Sequence, residues 1–261
     1  MQIVISSNLI YGFKSLRLLL VLPLCMAAIK PTLGHNPVDY LEVFDVAAGV
    51  PIEHDVELEC EDILARKSLS LRGPVRFSGS IGCMKKAGPK DRAFICWYKV
   101  ERDPQPAEQR KIKTLDFLRN GKNLELKIES EPSFLLSPAQ YLSAGEPAPV
   151  PEGLDHYLAF KVTEEASIGK SVQLTGRLNG EKTSQRQVGK AAYICLPTSE
   201  WHHDEHFEVS HRLTCFVAYE LDRSVKDGTN QKLSTLDQFG LNQLTVQGPS
   251  RMLLARGAIL K

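Results

Sequence analysis

Beyond residue 34 the chain is a succession of short apolar or alternating stretches separated by turn formers. FICWYKV (94–100), LELKI (124–128), HYLAFKV (156–162), SVQL (171–174), AAYICL (191–196), CFVAYEL (215–221) and QLTV (243–246) are rich in β-branched and aromatic residues. Gly, Pro, Asn or Asp bound them, which predicts β-strands. Few segments keep a helical period for three turns; EDILARKSLSL (61–71) comes nearest. The pattern predicts an all-β protein.

The pattern also repeats. A shift of 116 positions lays FDVAAGVPIEHDVEL (44–58) over FKVTEEASIGKSVQL (160–174) and matches Phe44, Val46, Ile52, Val56 and Leu58 with Phe160, Val162, Ile168, Val172 and Leu174. A shift of 121 sets Tyr98 on Tyr219 and Thr114-Leu115-Asp116 on Thr235-Leu236-Asp237. Late in each unit stands a punctuating pair, Gly73-Pro74, Glu131-Pro132, Gly189-Lys190 and Gly248-Pro249, with second members 58, 58 and 59 apart. Four units of about sixty residues follow. GEPAPVPEG (145–153), with prolines at alternate positions, is an extended spacer. The expected architecture is therefore two tandem β domains, sandwich- or barrel-like, at 35–143 and 153–261, joined by a linker at 144–152. Each domain would hold two related units.

Residues 1–34 are different in kind. Lys14 and Arg17 precede an apolar run, Leu18 to Ile29, then Thr32-Leu33-Gly34. This is the layout of a secretory signal peptide, with a run too short to span a bilayer. Cys25 is no lipoprotein site, because Leu24 stands where a small residue is needed. Loss of Lys14, Arg17 and Lys30 would leave 29 basic against 31 acidic residues. That balance gives no general attraction to nucleic acid or to an anionic membrane. The expected location is secreted, periplasmic or at the cell surface, with no stable transmembrane segment after cleavage.

LDQFGLNQLTVQGPSRMLL (236–254), YICLPTS (193–199) and HRLTCF (211–216) resemble an uncharacterised repeat of secreted bacterial proteins. Its unit runs Cys-aromatic-Lys-Val, Asp-Gln-Phe, then Leu-Cys-x-Pro. The likeness covers roughly Phe44 onward and is strongest in unit four. It departs at Ala159 and Leu136, where cysteines would stand. The resemblance implies architecture and leaves function open. It also places Cys83 and Cys96, and Cys195 and Cys215, on either side of a junction between units. It thereby implies two disulfides stapling those junctions, with Cys60 left over.

The candidate chemistry lies in YICLPTSEWHHDEHFEVSHRLTC (193–215), where His202, His203, His206 and His211 stand near Asp204 and Glu205. Neutral imidazoles with a carboxylate suit Zn²⁺ or a similar divalent ion. On a helical turn His202 and His206 would share a face. The segment is not HExxH, however, and a polar loop between β units is the simpler expectation. SIGKS (167–171) imitates a P-loop tail but has Glu164 in place of the first glycine. The sequence has no GxSxG elbow and no CxxC. Asp116 and Asp237 recur at one unit position, which points to a turn role. Trp97 and Trp201 are candidates for a sugar-stacking surface. Two function classes emerge, with no catalytic residue or organic cofactor assigned to the first. That one is a non-catalytic extracellular module for binding, surface assembly or scaffolding, toward an extracellular or cell-surface ligand. The second is an exported metal-dependent hydrolase centred on the histidines.

Overall fold

The computed structural model describes residues 39–47, 56–80, 93–101, 108–142, 149–164, 167–175, 178, 183–223 and 230–260. The expected signal peptide (1–34), Cys83 and most of the 144–152 spacer lie outside the described residues.

The described chain is almost entirely β, with thirteen strands in one antiparallel sheet. Each unit contributes three. The first strands are β1 (Tyr40–Ala47), β4 (Phe94–Val100), β7 (His156–Glu164) and β11 (Thr214–Leu221). The short second strands are β2 (Val56–Glu61), β5 (Gln109–Asp116), β8 (Lys170–Thr175) and β12 (Gln231–Asp237). The long third strands are β3 (Arg66–Ser80), β6 (Lys122–Leu142), β9 (Thr183–His202) and β13 (Gly240–Ile259). A three-residue β10 (Glu205–Phe207) folds back on β9. Second and third strands form a hairpin in every unit. EDILARKSLSL is the end of β2, the turn of the first such hairpin at 62–65 and the start of β3, rather than a helix. The Asp62 carboxylate accepts the backbone N–H groups of Leu64 and Ala65 at 2.6 and 2.9 Å, a local bond that favours a turn over a helix.

The punctuating pairs mark a change of partner within each third strand. β13 pairs with β12 up to Val246 and with β11 from Met252, and Gly248-Pro249 lies between. β6 leaves β5 at Glu129 and joins β4 at Phe134, with Pro132 between. A proline here removes a donor where the ladder is already switching, which is where a strand tolerates it.

Beyond the switch, first and third strands pair in a circuit that closes on itself: β1–β3, β3–β4, β4–β6, β6–β7, β7–β9, β9–β11, β11–β13 and β13–β1. Alternation gives these strands two buried faces. One carries Phe44, Tyr98, Phe160 and Tyr219 and belongs to the larger apolar cluster, which the hairpins cover. The other carries Val43, Trp97, Ala159 and Ala218 in a smaller cluster. Side chains from opposite sides of the circuit meet there: the Arg76 guanidinium on β3 lies 5.5 Å from the Tyr193 ring on β9, four strands away.

The expected split into two tandem domains is not seen. Leu33–Lys261 form one compact unit. β6 pairs with β7 across the proline-rich segment and β13 closes on β1. The ends of the third strands also reach second strands two units away: β6 to β12, β13 to β5 and β9 to β2. Four units sharing one circuit leave no plane along which the halves separate.

Candidate functional site

The histidines do not converge. His203 and Asp204 form the tight turn between β9 and β10, with His203 at a φ of 53°, and His202 sits opposite Glu205. His206 sits opposite Trp201, one position along, and so lies on the other face of the hairpin from His202. Its ring stacks on Trp201 at 4.5 Å, while His202 lies 4.3 Å from His203 and 5.4 Å from Phe239. Burial and the neighbouring His203 lower the proton affinity of His202. His211 stands apart beside Asp155, whose carboxylate accepts the backbone N–H groups of Ser210 and His211 at 2.7 and 3.1 Å. That buried carboxylate holds the loop. Among the described residues no three His, Cys, Asp or Glu side chains are grouped to hold a metal ion.

Nor is the loop stapled. Cys195 and Cys215 are free and buried, as are Cys60 and Cys96. Cys195 lies opposite Phe216 and packs with it in the smaller cluster, whereas Cys215 packs in the larger one. The two thiols therefore point to opposite faces of the sheet, which corrects the expected Cys195–Cys215 disulfide. Cys83, the expected partner of Cys96, lies outside the described residues; Cys96 instead contacts Thr235 Oγ1 at 3.5 Å. Burial raises the Cys96, Cys195 and Cys215 thiols above their ordinary range, the last to about 12.

The tryptophans are not an open stacking surface. Trp97 is fully buried and its indole N–H donates to Ser78 Oγ at 2.6 Å. Trp201 has the Arg66 guanidinium over its ring at 4.6 Å in addition to His206. SIGKS is the turn into β8, where Lys170 Nζ donates to the Leu118 carbonyl at 2.7 Å.

Asp116 and Asp237 have the expected turn role and a further one. Each accepts a backbone N–H two residues on, from Leu118 and Phe239. Each also receives a tyrosine hydroxyl from a distant unit: Tyr98 donates to Asp237 at 2.6 Å, and Tyr219 to Asp116. Beside Asp237 lies a buried acid, Glu200. It accepts from the Gln238 amide and has one oxygen without a hydrogen-bond partner. Burial pushes its pKa up to about 8 and that of His156, which also contacts Gln238, down to about 4.

The open chemistry is elsewhere, where the switch positions of half the circuit leave a mouth. A cavity of about 820 Å³ is lined by Lys99 and Lys161, Glu101 and Glu129, Ser68, Ser70 and Ser133, and by Val100, Phe134 and Tyr193. Lys161 pairs with Glu129 at 3.2 Å. The Phe134 and Tyr193 rings meet edge to face at 5.4 Å, and Arg76 lies over Phe134 at 4.6 Å. Lys99 and Lys161 are the lysines that follow the core aromatics Tyr98 and Phe160, in the Lys-Val step of the repeat unit. Reading the sequence singled out neither, although the motif contained the signal.

Residues 94–255, more than half of the chain, match a family model described as a repeat of unknown function (DUF7450). The chain belongs to this family. The DUF7450 match opens on the first residue of β4 and ends within β13, so it takes in units two and three and most of unit four. The likeness to an uncharacterised repeat read from the DQF and Cys-aromatic steps is thereby confirmed. Unit one, where that likeness was also read, lies before the match. No curated protein and no solved structure matches the chain.

Proposed function

We propose that this repeat protein is exported and acts without catalysis, as an extracellular binding, surface-assembly or scaffolding module. The observation that carries this reading is the separation of open space from reactive groups. The mouth is polar and accessible, and the groups whose proton affinity burial displaces most, Cys96, His156 and Glu200, are not among the residues that line it. Active sites place such groups in the cleft where substrate sits. Here Glu200, Cys60, Cys96, Cys195 and Cys215 are buried between strands, with Asp237 and His156 half-buried beside them.

Export is supported by the layout of residues 1–34. Free cysteines do not oppose it, because a buried, protonated thiol is inert toward oxidants and disulfides. The dispersed histidines give the metal-dependent hydrolase no support. Expression of the full chain in a secreting host tests the reading: exported material should begin near His35 by N-terminal sequencing. It should also bind extracellular or cell-surface material without turning it over. A chain that keeps Met1 inside the cell, or an activity abolished by chelation and by His202→Ala with His206→Ala, overturns it.

A further inference from the structure

We infer that the mouth and the groove running from it bind an uncharged, unbranched oligosaccharide of pyranose rings, an inference that rests on the proposed binding role. The first argument is shape. A second cavity of about 510 Å³, lined by Glu57, Glu59, Arg66, Trp201 and His203 among others, shares Ser68 and Ser70 with the mouth. The two cavities adjoin at these serines, which form the neck between them. Residues 66, 68 and 70 alternate onto one face of β3, and Glu59 faces Ser68 across the β2–β3 ladder. The cleft therefore lies along a flat, strand-borne surface that needs no ordering when a ligand arrives.

Chemistry selects among elongated ligands. The mouth sets two ammonium groups against two carboxylates, so charge cancels while donors and acceptors both remain. The groove adds Glu57 and Glu59 against Arg66. A phosphate-bearing chain meets carboxylates at both ends, which disfavours it. An apolar ligand strips water from lysines and glutamates and returns no hydrogen bond. A sugar hydroxyl both donates and accepts, so each one is satisfied by a Lys, Glu or Ser partner. The C–H face of a pyranose ring is apolar and lies on an aromatic side chain. Phe134 and Tyr193 offer such a wall, and it is fixed: they hold each other edge to face, and Arg76 lies over both rings at 4.6 and 5.5 Å. Pockets of this kind, a few placed polar groups around an aromatic wall, are the usual form of a ligand site.

The test is calorimetric titration of the full mature chain with four neutral hexasaccharides: β-1,4-linked glucose, N-acetylglucosamine and xylose, and α-1,4-linked glucose. Matched monosaccharides and a single-stranded oligonucleotide are the controls. At least one hexasaccharide should bind in the micromolar to millimolar range, more tightly than its monosaccharide, with no binding of the oligonucleotide. Lys161→Ala and Tyr193→Ala should each weaken it by about tenfold or more. Because Tyr193 also packs on Trp97, Ser68→Leu provides a second check: Ser68 is exposed, so the fold is kept while the neck is filled. Failure of all four hexasaccharides at millimolar concentration, or full binding by the Ser68→Leu chain, overturns the inference. If the wild type then still captures a defined extracellular protein, the binding role stands and only the sugar assignment falls.

Discussion

Tyr98 and Asp237 are 139 residues apart in sequence, and the tyrosine hydroxyl donates to the carboxylate at 2.6 Å. Tyr219 and Asp116 repeat the contact across 103 residues with the units exchanged. Thr235 and Thr114 extend both, touching Cys96 and Cys215 at 3.5 and 3.3 Å. Units two and four thus interlock reciprocally: the aromatic strand of each is fastened by the Thr-Leu-Asp step of the other.

Tyr98→Phe should destabilise the protein by about 1–3 kcal/mol, because it leaves a half-buried carboxylate short of one donor. Asn242, which donates to both groups at 3.1 and 3.2 Å, limits the loss. Denaturant titration of Tyr98→Phe, Asp237→Asn and the double variant should give costs that do not add, as contacting partners require. Additive costs would show that the contact contributes no coupling.

The seam between β13 and β5 has no room for a side chain. A Cβ on Gly257 would stand 2.7 Å from the Leu115 carbonyl oxygen and 3.2 Å from Cys215 Sγ. Gly257→Ala should therefore lower stability by about 1–3 kcal/mol, as overpacking does. The check is a melting curve beside that of Gly121→Ala, which has open space around it but a φ of 72° and is strained through its backbone alone.

Strands and repeats were legible because period-two alternation and turn formers are local signals. The matched pairs Tyr98/Tyr219 and Asp116/Asp237 were legible as equivalents. Sequence comparison shows which positions correspond but not which copy touches which, so the exchange between units two and four was hidden. The same limit produced the two-domain reading: a proline-rich spacer looks like a boundary unless one knows that β6 pairs with β7 beyond it. The Cys195–Cys215 reading failed on parity. Cys195 is level with Phe216, and one residue along a strand reverses the face. The mouth was out of reach because Lys99, Phe134, Lys161 and Tyr193 meet only through the β4–β6, β6–β7 and β7–β9 pairings, whose register the sequence does not display.

The cysteines give a direct chemical check. Alkylation of the folded protein should leave Cys60, Cys96, Cys195 and Cys215 unmodified, since all four are buried. Alkylation after unfolding, with no reductant added, should modify all four. Peptide mass spectrometry that finds Cys195 linked to Cys215 would require one of the two strands to turn over.

Glu200 sets how stability responds to pH above neutrality. Its carboxyl is buried, with Gln238, Asp237 and Cys60 as neighbours, and burial raises its pKa from an ordinary 4.5 to about 8. Between those values the folded protein holds a proton that the unfolded chain has released. Stability therefore falls as pH rises through this interval, and the loss is complete above about 8. His156 acts in the opposite sense: lowered from 6.5 to about 4, it makes stability rise over that range. The two effects oppose each other below pH 6.5, and from 6.5 to 8 His156 no longer offsets the fall due to Glu200. Protonated, Glu200 has a hydrogen to direct at the Gln238 amide oxygen while it accepts from the amide nitrogen, which gives its unpartnered oxygen a partner. Glu200→Gln keeps that exchange at every pH. Urea titrations at pH 6.5 and 8.5 should show the wild type losing stability while the variant changes little and becomes the more stable at 8.5. Equal slopes for the two chains would mean that Glu200 is already ionised at neutral pH.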